Sequence, residues 1–412
     1  MQAFRIFLTT IMIWSSCSFG LEHPNEGPSN ENLLQAKPGI GNAAPSRMGT
    51  TRFVFEGNRI FAELEFVLPD GGSHRCLAFV DLGSPRMTVS LSLFRELGLN
   101  QKKSLIFRVG EMPVTLSSSE VQSSPSPSYP LGDLKVEAIL SADILQNFQV
   151  VIDYKQRTLT LAQPNSLAPL GTPVPLRLNH KTGLAIVDAM IDGKLYPVTI
   201  DSGSGYTWLQ KTVAQEWLTR HSEWERGIGA VGVSNMRMSD DGIEASGTLM
   251  RISEIQLGAL HIRQVGALAI GPDERHSDFI DCYSKKNVVP VIGWLGGNVL
   301  QQFRIMLDYP NQISYWSEQS APDSHDLDQI GLTLAFKRGG YFVAAIATQK
   351  GKPTVDGVRI GDRLLQVDEL KVDTATWGTI FTAMHGKPGE TRTLTLQRNG
   401  EKFTAKAIVQ EF

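Results

Sequence analysis

The stretch AFVDLGSPRMTVS (78–90) and its echo VTIDSGSGYTWL (198–209) decide the architecture of this chain. In each, apolar and β-branched residues (78–80 and 198–200) run directly into Asp-x-Gly-Ser. That pattern reads as a short strand delivering a carboxylate to a buried edge, with the glycine letting the backbone turn tightly behind it. The two aspartates, Asp81 and Asp201, lie 120 residues apart. From average composition one such motif arises by chance roughly 0.2 times in a chain of this length. A single copy would carry little weight, but two copies in matching contexts point to a duplication.

Each copy also closes alike. AILSADILQNFQVVIDY (138–154) and GWLGGNVLQQFRIMLDY (293–309) share Leu145/Leu300, Gln146/Gln301, Phe148/Phe303, Asp153/Asp308 and Tyr154/Tyr309. Similar starts and finishes in the same order predict two related β-rich units. The flanking stretches alternate as short strands, with FVFEGNRIFAELEFVLPDGG leading the first copy. Punctuated segments at 123–130, 162–175 and 317–329 read as a surface loop and two linkers. The expected organisation is a signal segment (1–20), a flexible leader (21–50), a first half (51–162), a second half (174–317) and a C-terminal unit (328–412).

The repeated motif has an evident chemistry. Two carboxylates brought within hydrogen-bonding distance cannot both ionise, so one keeps a proton. The ionised member can take a proton from water while its neighbour protonates a substrate carbonyl. Ser84 and Ser204 are expected to donate their hydroxyl hydrogens to these carboxylates and hold their orientation. Asp153 and Asp308 end the closing strands and read as structural.

On these residues the two halves resemble tandem retropepsin-like aspartic peptidase units, over about residues 53–317. FVDLGSPRMTVSLSLFRELGL (79–99) and TIDSGSGYTWLQ (199–210) resemble the family's signature, and 142–145 and 297–300 resemble its Gly-x-x-Leu turn. The resemblance implies a mostly β fold with pseudo-twofold symmetry. It implies endoproteolysis of polypeptides by an Asp81–Asp201 dyad supported by Gly83, Ser84, Ser202, Gly203 and Ser204. Leu82 departs from the pattern, because the family has Thr or Ser there to hydrogen-bond across the halves; Ser202 retains that hydroxyl. The departure leaves two other readings in view. One is a dyad formed between two chains from two copies of Asp201; the other is a non-catalytic peptide-binding protein on a degenerate fold. A single chain with an intramolecular dyad is the expectation. The family closes its site with a glycine-rich flap, for which RGIGAVGV (226–233), with Gly227, Gly229 and Gly232, is the candidate.

Residues 330–373 resemble a PDZ domain, a small α/β unit, with VDGVRIGDRLL (355–365) carrying the likeness. The resemblance implies a carboxylate-binding loop at Gly331, Leu332, Thr333 and Leu334, and docking of a peptide C-terminus by strand addition. Residues 376–385 read as the helix flanking that groove. ETRTLTLQRNGEKFTAKAI reads as a hairpin turning at Asn399 and Gly400.

Composition sets the outer limits. The chain has 412 residues, of which 42% are hydrophobic and 20% charged, with net charge -3, so no basic face suits nucleic acid. Arg5, the apolar run 6–14 and the small residues 18–20 predict export to a periplasm or the exterior, and Cys17 offers lipid anchoring as an alternative. Once that segment is removed, Cys76 and Cys282 remain, either bridged or free. With no CxxC and no HExxH, no metal or other cofactor is expected. His221, His261 and His276 read as surface residues.

Overall fold

The computed structural model describes residues 46–101, 104–124, 134–229, 232–233, 246–271, 284 and 287–412. The chain is mostly β, as expected from its short alternating runs. The signal segment, most of the leader, Cys17, Cys282 and His276 lie outside the described residues. No described helix is long and apolar enough to cross a membrane.

The duplication is visible in the strand order. In the first half it runs Arg59–Val67, Ser73–Asp81, Val136–Ser141, Met87–Ser90, Val121–Ser124. In the second it runs Leu184–Ile191, Lys194–Ile200, Gly293–Leu295, Thr207–Gln210, Leu260–Ile270. The hydrogen-bonding sense repeats as well. Each motif strand pairs antiparallel with the strand before it and parallel with the strand that opens the closing segment. Both motif strands begin exposed and finish buried, so their last residues are pinned in the core.

The closing segments fold alike too. Each makes a one-turn helix, Ala142–Leu145 or Gly297–Leu300, followed by a strand. The Ala142 N–H donates to the Ser84 carbonyl at 3.0 Å, and the Gly297 N–H to the Ser204 carbonyl at 2.7 Å. The closing helix therefore braces the back of its own motif loop. The two closing strands, Gln149–Asp153 and Phe303–Asp308, pair antiparallel with each other and join the halves in one sheet. The Gln149 side-chain amide donates to Asp308 at 2.8 Å, and the Gln319 amide donates to Asp153 at 2.9 Å. Both carboxylates serve this seam, in keeping with their structural reading.

The C-terminal unit is a strand set Leu332–Lys337, Gly340–Ile346, Arg363–Val367, Thr391–Arg398 and Glu401–Ile408, crossed by the helix Trp377–Met384. Thr376 caps this helix by accepting from the Thr379 N–H. The hairpin turns at Asn399 and Gly400, both with positive φ.

The stretch 317–329, expected as a linker, is instead partly built into the core. Asp326, Leu327, Asp328 and Gln329 are buried. The buried Arg251 guanidinium donates to Asp326 at 2.9 Å and to the Phe412 carbonyl at 2.7 Å. Asn298 donates to the other Asp326 oxygen at 2.6 Å. Pairing of this kind lets a charged residue sit inside a fold, and composition alone did not reveal it.

Candidate active site

Asp81 ends its strand, Asp201 directly follows the strand Lys194–Ile200, and both are buried. Their carboxyl groups are close enough for each to perturb the other's ionisation, and two acids in so small a space hold one proton between them. The Gly83 N–H donates to Asp81 at 2.9 Å, and the Gly203 N–H donates to Asp201 at 2.8 Å. A Cβ on Gly83 would stand 2.5 Å from the Asp201 carboxyl carbon, and one on Gly203 would stand 2.2 Å from an Asp81 oxygen. Each glycine is thus the floor on which the opposite half's carboxylate rests. The sequence pattern justified glycine by its turn, but the approach of the facing aspartate is the stricter constraint.

The expected role of the serines needs correction. Ser84 and Ser204 donate their hydroxyl hydrogens to the Arg86 and Tyr206 carbonyls, at 3.3 and 2.7 Å. A hydroxyl has one hydrogen, so neither is left to donate to a carboxylate. These serines shape the loops, while the glycine N–H groups orient the acids.

Ser202 bridges the halves. Its hydroxyl donates to the Val80 carbonyl at 2.7 Å and accepts from the Leu82 N–H at 3.2 Å. Its counterpart, Leu82, is buried and packs in the core. One side of the cross-bonding is present, and the other is replaced by apolar packing. The two aspartates meet within this one chain.

Electrostatics follow from the burial. Desolvation raises Asp81 to about 6, opposed by the Gly83 N–H. Asp201 is raised well above the usual carboxylate range, first by burial and then by the charge of Asp81. One proton is therefore held between them well above the pH at which an ordinary carboxyl would lose it.

Arg59 is a participant that sequence reasoning missed. It follows the turn at Gly57 and Asn58, is buried, and donates from Nε to the Gly203 carbonyl at 2.8 Å. Its charge favours ionisation of both aspartates. An arginine after a turn carries no local signal of such a role, because the contact is made 144 residues away.

The flap candidates pack and pair against the C-terminal unit in their described parts. Gly227 is in the strand Glu225–Ile228, where a Cβ would meet the Thr348 carbonyl and the Phe412 ring. At Gly229 a Cβ would meet Ala347. Gly232 is in the two-residue strand Gly232–Val233, which pairs parallel with Leu332–Lys337. The described part of this segment is drawn to the C-terminal unit by main-chain pairing.

The residues expected to form a carboxylate loop run directly into a strand. Gly331 has φ +77°, while Leu332, Thr333 and Leu334 are already in a strand. That strand's inner edge pairs with Gly340–Ile346, and Gly232 and Val233 pair opposite Thr333 and Leu334.

Of the histidines, His221 bonds Asp192 at 2.7 Å, and His261 is half-exposed. A polar cluster not foreseen joins His74, Cys76 and Glu137. Both His74 ring nitrogens are engaged by carboxylates, Glu137 at 2.9 Å and Glu96 at 3.2 Å, as suits an imidazolium bridge. Cys76 is a buried free thiol pushed up to about 12 by desolvation and these acids.

No family model matches this chain, and no curated protein matches it at a significant level.

Proposed function

We propose that the protein is an exported aspartic endopeptidase whose acid–base pair is Asp81 and Asp201. The observation that carries this reading is the buried pair of carboxyl groups, each resting on the glycine of the opposite half, Gly83 or Gly203. The ionised carboxylate takes a proton from a water molecule, whose oxygen adds to the peptide carbonyl carbon. The neighbouring acid gives its proton to the carbonyl oxygen. Collapse of the resulting diol, with a proton passed to the amide nitrogen, breaks the C–N bond and leaves one proton on the pair. The chemistry is supplied by these side chains and the water.

The retropepsin-like reading of the two halves is supported by their matching strand order and matching closing helices. The C-terminal unit, read as a PDZ-like domain, would add a peptide at the Leu332–Lys337 edge. A peptide there must displace the pairing with Gly232 and Val233.

The test is cleavage of an unfolded protein substrate by the full chain. Asp201→Asn and Asp81→Asn are each expected to lower kcat at least about 10³-fold, since either loss removes the shared proton machinery. Undiminished cleavage by either variant would overturn the assignment, and survival of Asp81→Asn alone would return the dyad to a pair of chains.

A further inference from the structure

The helix Trp377–Met384 of the C-terminal unit contacts Arg59 at one end and Tyr206 of the second aspartate loop toward the other. At one end, Trp377 is buried with the Arg59 guanidinium 4.7 Å over its ring. Arg59 in turn donates to the Gly203 carbonyl, and the Gly203 N–H holds Asp201. At the other end, Phe381 packs on Tyr206 at 5.8 Å between ring centres. His385, just past the helix, stands 3.3 Å from the Tyr206 hydroxyl. Tyr206 supplies the carbonyl that Ser204 uses to shape the loop.

The turn before Arg59 is fitted to this contact. Gly57 has φ +54°, and a Cβ there would fall 1.3 Å from a Trp377 ring carbon. Across the turn, a Cβ on Gly297 would fall 1.7 Å from the Asn58 carbonyl oxygen. The Gly378 N–H donates to Glu56 at 3.3 Å. The first half, the second half and the C-terminal unit therefore converge at one turn, directly beside the pair of acids. An appended docking module joined by a tether needs no such junction. A guanidinium stacked on an indole and bonded to a carbonyl has little freedom left.

We propose that Trp377 and Arg59 are positioning residues for the aspartate pair, so that the C-terminal unit is a working part of the active site. The inference rests on the proteolytic reading, and its test includes one measurement that does not. Around the pair, the titratable and charged groups to follow are Asp81, Asp201, Arg59 and Tyr154, with Glu56 and His385 beside the helix.

The experiment compares the full-length wild type with Arg59→Gln, Arg59→Lys, Trp377→Ala and Trp377→Phe. It reads the pH profile of kcat/KM and the carboxyl ¹³C titration of the two aspartates. Arg59→Gln is expected to move both titrations to higher pH by about one unit, because an adjacent cation is lost. Trp377→Ala should shift them the same way by less, and lower kcat about 10-fold with KM little changed. Trp377→Phe and Arg59→Lys, milder changes that keep a ring or a charge, should lie between these and wild type. If Arg59→Gln and Trp377→Ala leave both carboxyl titrations at their wild-type positions, the proposal fails, even where activity drops. Inactivity of the wild type would instead remove the proteolytic reading, with the carboxyl titration still deciding the coupling.

Discussion

The hydroxyl of Ser202 donates to the carbonyl of Val80 at 2.7 Å, tying the second aspartate loop to the strand that delivers Asp81. Its oxygen also accepts from Leu82, so one side chain satisfies two buried main-chain groups of the opposite half. Since position 82 offers no hydroxyl in return, this link has no counterpart.

Ser202→Ala is therefore expected to be costly. It leaves a buried carbonyl and a buried N–H unpaired, worth about 2–4 kcal/mol together. Denaturant unfolding should show a loss of that size, and kcat should fall about 10–100-fold. Ser202→Thr keeps the hydroxyl and should recover most of both. A Ser202→Ala protein as stable as wild type would remove the bridge from the account.

Gly83→Ala and Gly203→Ala should each disable the pair. The added methyl carbon would enter the space of the facing carboxylate, at 2.5 and 2.2 Å. Neither acid can retreat without leaving its glycine N–H. Turnover is expected to drop at least about 100-fold, with KM changed much less, because the geometry of the reacting groups is lost. Steady-state kinetics with a peptide substrate would detect wild-type kcat, the outcome that contradicts this contact.

The working pH should be near neutral. With Asp81 raised to about 6 and Asp201 well above its ordinary range, the singly protonated pair forms as pH rises through about 6. The kcat/KM profile should climb through that region and fall only at higher pH, when the shared proton is lost. A peak near pH 3 would contradict the burial assigned to the pair.

Stability should move the opposite way. An aspartate titrates near 3.9 in an unfolded chain, whereas Asp81, Asp143 and Asp326 are each raised to about 6 here. Between those values the folded protein binds more protons than the unfolded one. The contribution of these groups to stability is therefore fully present below about 4 and is lost as pH rises to about 6. Asp201→Asn removes one buried acid while keeping its shape. It should raise stability at pH 7.5 by on the order of 1–3 kcal/mol, or a few degrees in Tm, even as activity disappears. Calorimetry at pH 5 and 7.5 checks both statements, and an Asn variant that melts lower at pH 7.5 would refute the second.

Much of this was legible in the chain itself. Apolar runs ending in Asp-x-Gly-Ser, repeated with the same closing segment, determined the mostly β duplication and singled out Asp81 and Asp201. Those signals are local: strand periodicity, a turn residue, a motif. Tertiary structure alone decided that the carboxyls face each other, that Gly83 and Gly203 support the opposite acid, and that Ser84 and Ser204 bond main chain instead. It also decided that 317–329 is partly buried and that Trp377 meets Arg59 beside the dyad. The physical reason is that a side chain's partner across a core is chosen by packing between distant segments. An arginine, a tryptophan or a serine looks the same in sequence whether it meets solvent or an active site.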